Sequence, residues 1–542
     1  MTKAFLAATK ALQQHCRRFD AVGLEAKAAA LARAAAAPLP LSAALIGHHE
    51  ALLFLRAHPS GAAMLRQVEA ELARLTKFLH AQRGQHPEAL QNHGLPFVDT
   101  ATRYSHDCLR WLLQHPHCRV GFHAWGDPVL DLNAVLRLTL PPLERSYTTA
   151  GQNNDDLLES LQVSESQRLP FLVSELSRLD ATPFVKDQLF DALDLYVRLE
   201  PKHKQFSKAY NRLAMAASFF QTELLRQYEP KAVMNQPLPA PRTLDEAGLA
   251  EVSQVIRNTL ALTARETDPG TYMDLRALQV LDLERGLSVA LYGMWPERQM
   301  PLESYVGFML FKNGLAVSYG GAWVLGPRAN FGMNIFEPYR GGESGFMMCQ
   351  VLRAYRQTFG VDFFEVDAHQ FGLDNADGIA SGAFWFYHRH GFRPLDAELA
   401  ALAEREAALN QRQPGRRSSE RTLVKFTGSN VALNFGGSVP RSVDELCTAV
   451  TQWVARQHQG NRVAAERDAL QRFEAAVGPL GEVSADEQRV LLEVALLAQA
   501  LQMRSPAPLR LLRRMAQAKP VNLPGYQALL QQWLHPGLRL PA

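Results

Sequence analysis

Ile335–Arg353, IFEPYRGGESGFMMCQVLR, leads a glycine-rich turn, Arg340–Gly345, straight into an apolar periodic run. The residues before it, ANFGMNIF (329–336), have the texture of a strand that stops at Glu337-Pro338. After it, Phe346, Val351, Leu352, Tyr355 and Phe359 fall on one stripe of a helix. The unit is strand, glycine turn, helix. A helix start leaves several N–H groups unpaired and carries partial positive charge, and glycines let an anion approach without a Cβ in the way. The same glycines also suit a plain strand-to-helix joint. Both readings stand on these residues alone.

Working outward, VDFFEVDAHQ (361–370) reads as a second strand, followed by a loop FGLDNADG, a helix through ASGAFWFYHRH and an exit at GFRPL. Alternation puts Glu365 and Asp367 on one face with Phe363, opposite Phe364 and Val366. Two carboxylates on so apolar a strand imply that this face meets a polar cleft or cations. Further strand-like runs are LSVALYGM, YVGFMLFK, LAVSYGGAWVL and TLVKFTGSNVALNF. Together they make 243–437 a mixed α/β domain, opened by a proline-rich connector and a capping-box spacing at Thr243 and Glu246. Residues 1–235 read as a mainly helical domain, from EAKAAALARAAAA, FLVSELSRL and KDQLFDALDLYVRL, with VLRLTL (135–140) as one short strand. Residues 438–542 read as helical, with capping-box spacings at Ser442/Glu445 and Ser484/Glu487. The expected fold class is therefore α/β, a central mixed sheet with helices between N-terminal and C-terminal all-helical regions.

Composition bounds the rest. At 542 residues the chain exceeds one ordinary core. With 47% hydrophobic and 20% charged residues it is a packing sequence, and a net charge of +3 does not point to nucleic acid. Five cysteines at irregular positions argue against a disulfide framework and for a reducing, cytoplasmic setting. No window is apolar enough for a membrane span.

The succession YRGGESG, helix, acidic strand, Asn-containing loop and FYHRHGF resembles the acyl-coenzyme A binding core of the GNAT-type N-acyltransferases. The resemblance extends over Thr243–Phe435 and leaves the flanks outside. Arg340 and Gly345 match the ends of the family's signature turn, and Glu343 stands where the family prefers Gly. A first-turn carboxylate suits the helix dipole, and it is expected to point away from a bound pyrophosphate. On that view Glu343→Gly restores the family turn and binds coenzyme A as well or better.

The resemblance implies a function: transfer of an acyl group, acetyl foremost, from acyl-coenzyme A to an amine. It implies that the pyrophosphate lies on Gly341, Gly342, Glu343, Ser344 and Gly345 with Arg340 beside it, and that the pantetheine arm runs between splayed strands near Ile335 and Phe336 and near 364–367. Asn375 matches a pantetheine-binding position, and equally reads as a turn-former in LDNADG. Tyr387 matches the family's proton donor, and its plain alternative is a core aromatic. Glu365 and Asp367 are the candidate bases, with Glu337 a third. Partners expected are acyl-CoA and an amine, small molecule or protein, with the helical regions available for homo-oligomer contacts.

Two rival readings remain open: a non-catalytic protein with the same fold, and a related transferase that takes aminoacyl-tRNA. No metal site is expected, because His106, Cys108, His115, His117, Cys118 and His123 lack metal-ligand spacing. The basic segment Gln411–Arg421 reads as a solvated loop or a contact for an acidic group.

Overall fold

The computed structural model describes residues 2–145, 152–413 and 415–534. At its centre is an eight-stranded sheet in the order β10-β11-β9-β8-β7-β6-β5-β4. The strands are β4 (Met273–Asp282), β5 (Leu287–Met294), β6 (Ser304–Lys312), β7 (Leu315–Leu325), β8 (Arg328–Ile335), β9 (Phe363–Val366), β10 (Arg393–Pro394) and β11 (Val431–Asn434). Every neighbouring pair is antiparallel except β8 and β9, which run parallel through the crossover helix Ser344–Phe359. The hairpin between β6 and β7 turns on Asn313 and Gly314, both at positive φ (49° and 79°), the conformation a two-residue turn needs to match strand twist.

The sheet is covered on both faces, which is why β5 and β6 are buried at nearly every position instead of alternating. Helix 344–359 packs on one face, with the Tyr355 hydroxyl donating to the Val306 carbonyl at 2.6 Å. Helix Glu246–Leu262 and the first helices of the chain complete the cover, and a single apolar core joins Leu12, Leu52 and Phe54 to Val289, Phe308 and Met347. Asp245, not Thr243, caps helix 246–262, accepting from the Gly248 N–H at 2.8 Å.

Two expectations for the N-terminal region are corrected. It is not all-helical: β1 (Thr100–Thr102), β2 (Cys118–Trp125) and β3 (Leu195–Pro201) form an antiparallel sheet in the order β1-β3-β2. Residues 195–201 alternate buried and half-buried, a period of two that KDQLFDALDLYVRL conceals because its first half is the helix Pro183–Asp191. Conversely, VLRLTL is no strand: its buried positions Val135, Leu136 and Leu140, with Leu132 just before it, follow a helical spacing, and Leu132–Thr139 is a helix. The same error of period occurs at TLVKF, which lies in the helix Glu420–Phe426, with only Val431–Asn434 in the sheet.

Past residue 438 the described residues form five helices, from Val443–His458 to Leu523–Trp533. Ser484 and Glu487 make the reciprocal capping box, whereas at Ser442 the hydroxyl accepts from Glu445 N–H. This bundle is pinned to the sheet by buried Lys519, whose ammonium donates to the Glu303 carbonyl (2.6 Å) and Ser304 Oγ (2.8 Å). No helix among the described residues is long and apolar enough to cross a membrane. Four cysteines are buried and Cys447 is exposed, all as free thiols.

Candidate functional site

β8 pairs with β7 over eight residues, Arg328–Ile335, but with β9 over only three, Arg328 to Asn330. The ladder stops at Asn330 and Glu365 because β9 itself ends at Val366, so the edge of β8 from Phe331 to Ile335 has no strand beside it on that side. The chain then makes one 3-10 turn, Glu337–Tyr339, and reverses at Gly341, whose φ of 72° is open to glycine at little cost. Helix 344–359 begins with no side-chain cap. Its first ladder bond runs from Met347 N–H to the Glu343 carbonyl at 2.9 Å, so the amides of Ser344, Gly345 and Phe346 precede the ladder.

Glu343 points away from this turn, into the protein, and is 1% exposed. One carboxylate oxygen accepts from Arg285 Nη2 (2.7 Å), Gln221 Nε2 (2.9 Å) and Leu225 N–H (2.9 Å), and the other from Lys312 Nζ (3.1 Å). Burial alone would push its pKa up. Lys312, the Leu225 amide, His58 and Arg285 overcome that and hold it at about 2. The dipole of helix 344–359 is the lesser reason for an acid here. The larger is that Glu343 fastens the segment around Gln221–Leu225 across the start of the helix.

The glycines on either side are shaped by side chains the sequence did not single out. A Cβ on Gly345 would lie 2.3 Å from both Tyr228 Oη and His390 Nε2, which are themselves 2.8 Å apart. His390 Nδ1 faces the Phe386 carbonyl at 2.6 Å, which only accepts, so Nδ1 carries the proton and Nε2 accepts from the Tyr228 hydroxyl. A Cβ on Gly342 would touch the Phe54 ring at 3.4 Å. These contacts come from residues 54, 228 and 390, far apart in sequence, and no local pattern signals them.

Arg340 is exposed, donating from Nε to the Ile335 carbonyl at 3.0 Å with Nη2 at 3.5 Å from Glu337. Ile335 is half-buried, and Phe336 stacks on Tyr319 at 5.1 Å. Asn375 caps the helix Ala376–Ser381, accepting from Gly378 N–H and donating to the His369 carbonyl at 2.8 Å, so its side chain is engaged as a turn-former. Glu365 is buried, with Arg328 on one oxygen and Asn430 Nδ2 on the other at 2.8 Å. Asp367 leaves the strand and accepts from His369 N–H at 2.8 Å, so the pair does not share a strand face. Tyr387 is 4% exposed, packed against Phe371, which follows β9, and against Phe386 and Phe392. Burial pushes its phenol well above the ordinary range.

Around Glu337 lies a group of ionisable side chains from several regions. Burial raises the carboxyl of Glu337, but its own backbone amide, Lys208, Arg340 and Arg265 bring it below the usual range. Glu50 is held above that range by burial, with Glu337 adding to the effect. Lys208 lines a cavity of about 20 Å³ with Phe336 and Tyr339.

The basic segment Gln411–Arg421, of which Pro414 lies outside the described residues, walls a groove of about 1150 Å³ shared with Arg389 and Arg393. Arg416 in it is paired with Glu406 at 3.0 Å. Among the described residues no three His, Cys, Asp or Glu side chains gather as metal ligands, and His106 instead faces the Val173 carbonyl at 3.0 Å. No protein-family model, curated protein or solved structure matches the chain.

Proposed function

We propose that this chain transfers an acyl group, acetyl the simplest, from acyl-coenzyme A to an amine. The observation that carries the reading is that β9 ends beside Asn330 while β8 runs on to Ile335, which leaves a strand edge leading to an uncapped, glycine-lined helix start. An extended amide-containing arm adds to such an edge as a further strand, and a pyrophosphate suits the amides at its end. In this reading the pantetheine lies along Phe331–Ile335 and the pyrophosphate on Gly341–Gly345.

The chemistry needs a proton taken from the amine and one given to the departing thiolate. Tyr387, beside the end of β9 and kept protonated by burial, is the donor. Glu365 is committed to Arg328 and Asn430 and Asp367 has turned off the strand onto the His369 amide, so the accepting role passes to Glu337, just past β8, and to Glu50 of the helix Ala44–Ala57. Glu50 is displaced upward, by burial first and by the charge of Glu337 in part, while Glu337 is held low by its own amide, Lys208, Arg340 and Arg265, so Glu50 is the more basic of the two.

A second reading, a binding protein without turnover, is favoured by one fact: Glu343 and Glu365 spend both carboxylate oxygens inside the fold, and Asn375 bonds its own loop. A thiol-release assay against a panel of amines, peptides and aminosugars separates the two. Arg340→Ala weakens coenzyme A binding by ~1.5 to 3 kcal/mol in calorimetry, the range for a charged hydrogen-bond donor, and leaves the fold intact. Unchanged affinity removes Arg340 from the site.

A further inference from the structure

The turn that would hold the pyrophosphate is not built by the central sheet alone. Arg17, just past the first helix, Thr2–His15, reaches it from the other end of the chain. Its Nη2 donates to the Arg340 carbonyl at 2.8 Å, and its guanidinium lies 5.2 Å above the centre of the Phe54 ring, the same ring that bounds Gly342. Its Nε lies 4.0 Å from where a Cβ of Gly341 would stand. That Nε is buried and has no hydrogen-bond partner.

Two features make this more than a strut. Among the described residues Arg17 is in no ion pair: the neighbouring Asp20 is taken by Arg18 at 2.8 Å, and Glu337 lies near Arg340 and Arg265. Buried polar groups are mostly paired, and this unmatched N–H stands at the edge of a glycine turn. It is also well formed for the purpose, since a guanidinium presents a planar fork that fits phosphate oxygens and is more weakly hydrated than an ammonium. Phe54 holds the plane in place from below.

We propose that Arg17 is a second cationic contact for the donor's pyrophosphate and the residue by which this protein selects pyrophosphate-bearing acyl donors over those that carry only the pantetheine arm. The identity of the donor rests on the acyl-coenzyme A reading above. The anion contact itself does not. The N-terminal helices thereby contribute directly to the donor site, with Arg17 beside Arg340 at the start of the turn.

The test uses the full chain and three probes: acetyl-coenzyme A, acetyl-pantetheine and inorganic pyrophosphate. Arg17→Ala is expected to lower affinity for acetyl-coenzyme A and for pyrophosphate by roughly 10- to 100-fold, the loss of one charged contact, while affinity for acetyl-pantetheine stays within about twofold. Arg17→Lys, which keeps the charge and loses the fork, recovers part of the loss. Equal loss for acetyl-coenzyme A and acetyl-pantetheine, or no loss for either, overturns the proposal, the first by reducing Arg17 to a support for the Arg340 carbonyl. Arg17-dependent binding of pyrophosphate by a protein that ignores acetyl-coenzyme A upholds the anion contact and rejects the acyl-coenzyme A reading. Binding of none of the three by the wild-type chain rejects both. If Arg17→Ala melts well below the wild type, Arg17→Gln, which keeps a donor to the Arg340 carbonyl, carries the comparison.

Discussion

Glu343→Gln is expected to destabilise the protein by about 3–5 kcal/mol, because it takes the carboxylate out of a buried ion network and leaves Lys312 and Arg285 without their anion. Lys312, fully buried, would face a neutral amide in place of its anion beside its bond to the Arg285 carbonyl, and the Gln221–Leu225 segment would lose a charged anchor. Urea unfolding at neutral pH reads this, and a loss under about 1 kcal/mol would show that the network is dispensable. A double variant with Lys312→Met should lose less than the two single losses combined, as coupled neighbours do. The pH dependence follows from the same group. Its folded pKa, about 2, lies below the ordinary carboxylate value, so the stabilisation is present above about pH 4.5 and is lost as pH falls toward 2. Glu343→Gly, which the sequence alone suggests as a repair of the family turn, is expected on this geometry to cost at least as much as Glu343→Gln.

Tyr387→Phe keeps the ring among Phe371, Phe386 and Phe392 and removes only the hydroxyl. If that hydroxyl protonates the leaving thiolate, turnover should fall by at least about tenfold, with general-acid catalysis worth roughly 100- to 10,000-fold, while affinity for acyl-coenzyme A barely moves. The measurement is steady-state thiol release with an accepted amine. Equal turnover would make Tyr387 the core aromatic that its 4% exposure also fits, and Glu50 and Glu337 would then be the next positions to change.

The central α/β texture was legible because long apolar runs such as YVGFMLFK and LAVSYGGAWVL admit few other readings. Short segments were not. VLRLTL and TLVKF satisfy an alternating pattern over five or six residues, yet their buried positions follow the helical spacing that only the longer context, from Leu132 or Glu420, brings out. LYVRLEP failed in the opposite sense, since a helix merges into it without a break in apolar density.

At the site, the backbone features were readable: the strand end, the glycine turn and the helix start are consecutive in the chain. The side-chain roles were not, because they depend on what packs against them. Glu343 looks like a surface acid at a helix start until residues 221–225, 285 and 312 are seen around it. Asp367 belongs to an apparent strand that ends one residue before it. Arg17, Phe54, Tyr228 and His390 meet the turn only through tertiary structure.

The central claim is that acyl-coenzyme A lies along the open edge of β8 with its pyrophosphate on the turn. Amide hydrogen exchange with and without saturating acetyl-coenzyme A tests it at the residues concerned. The account predicts slowed exchange concentrated at Phe331–Ile335 and Gly341–Phe346, where the ligand would supply partners for the β8 amides that face away from β7 and for the helix-start amides that precede the ladder. Unchanged exchange at both segments, or protection confined to a different part of the molecule, would contradict it.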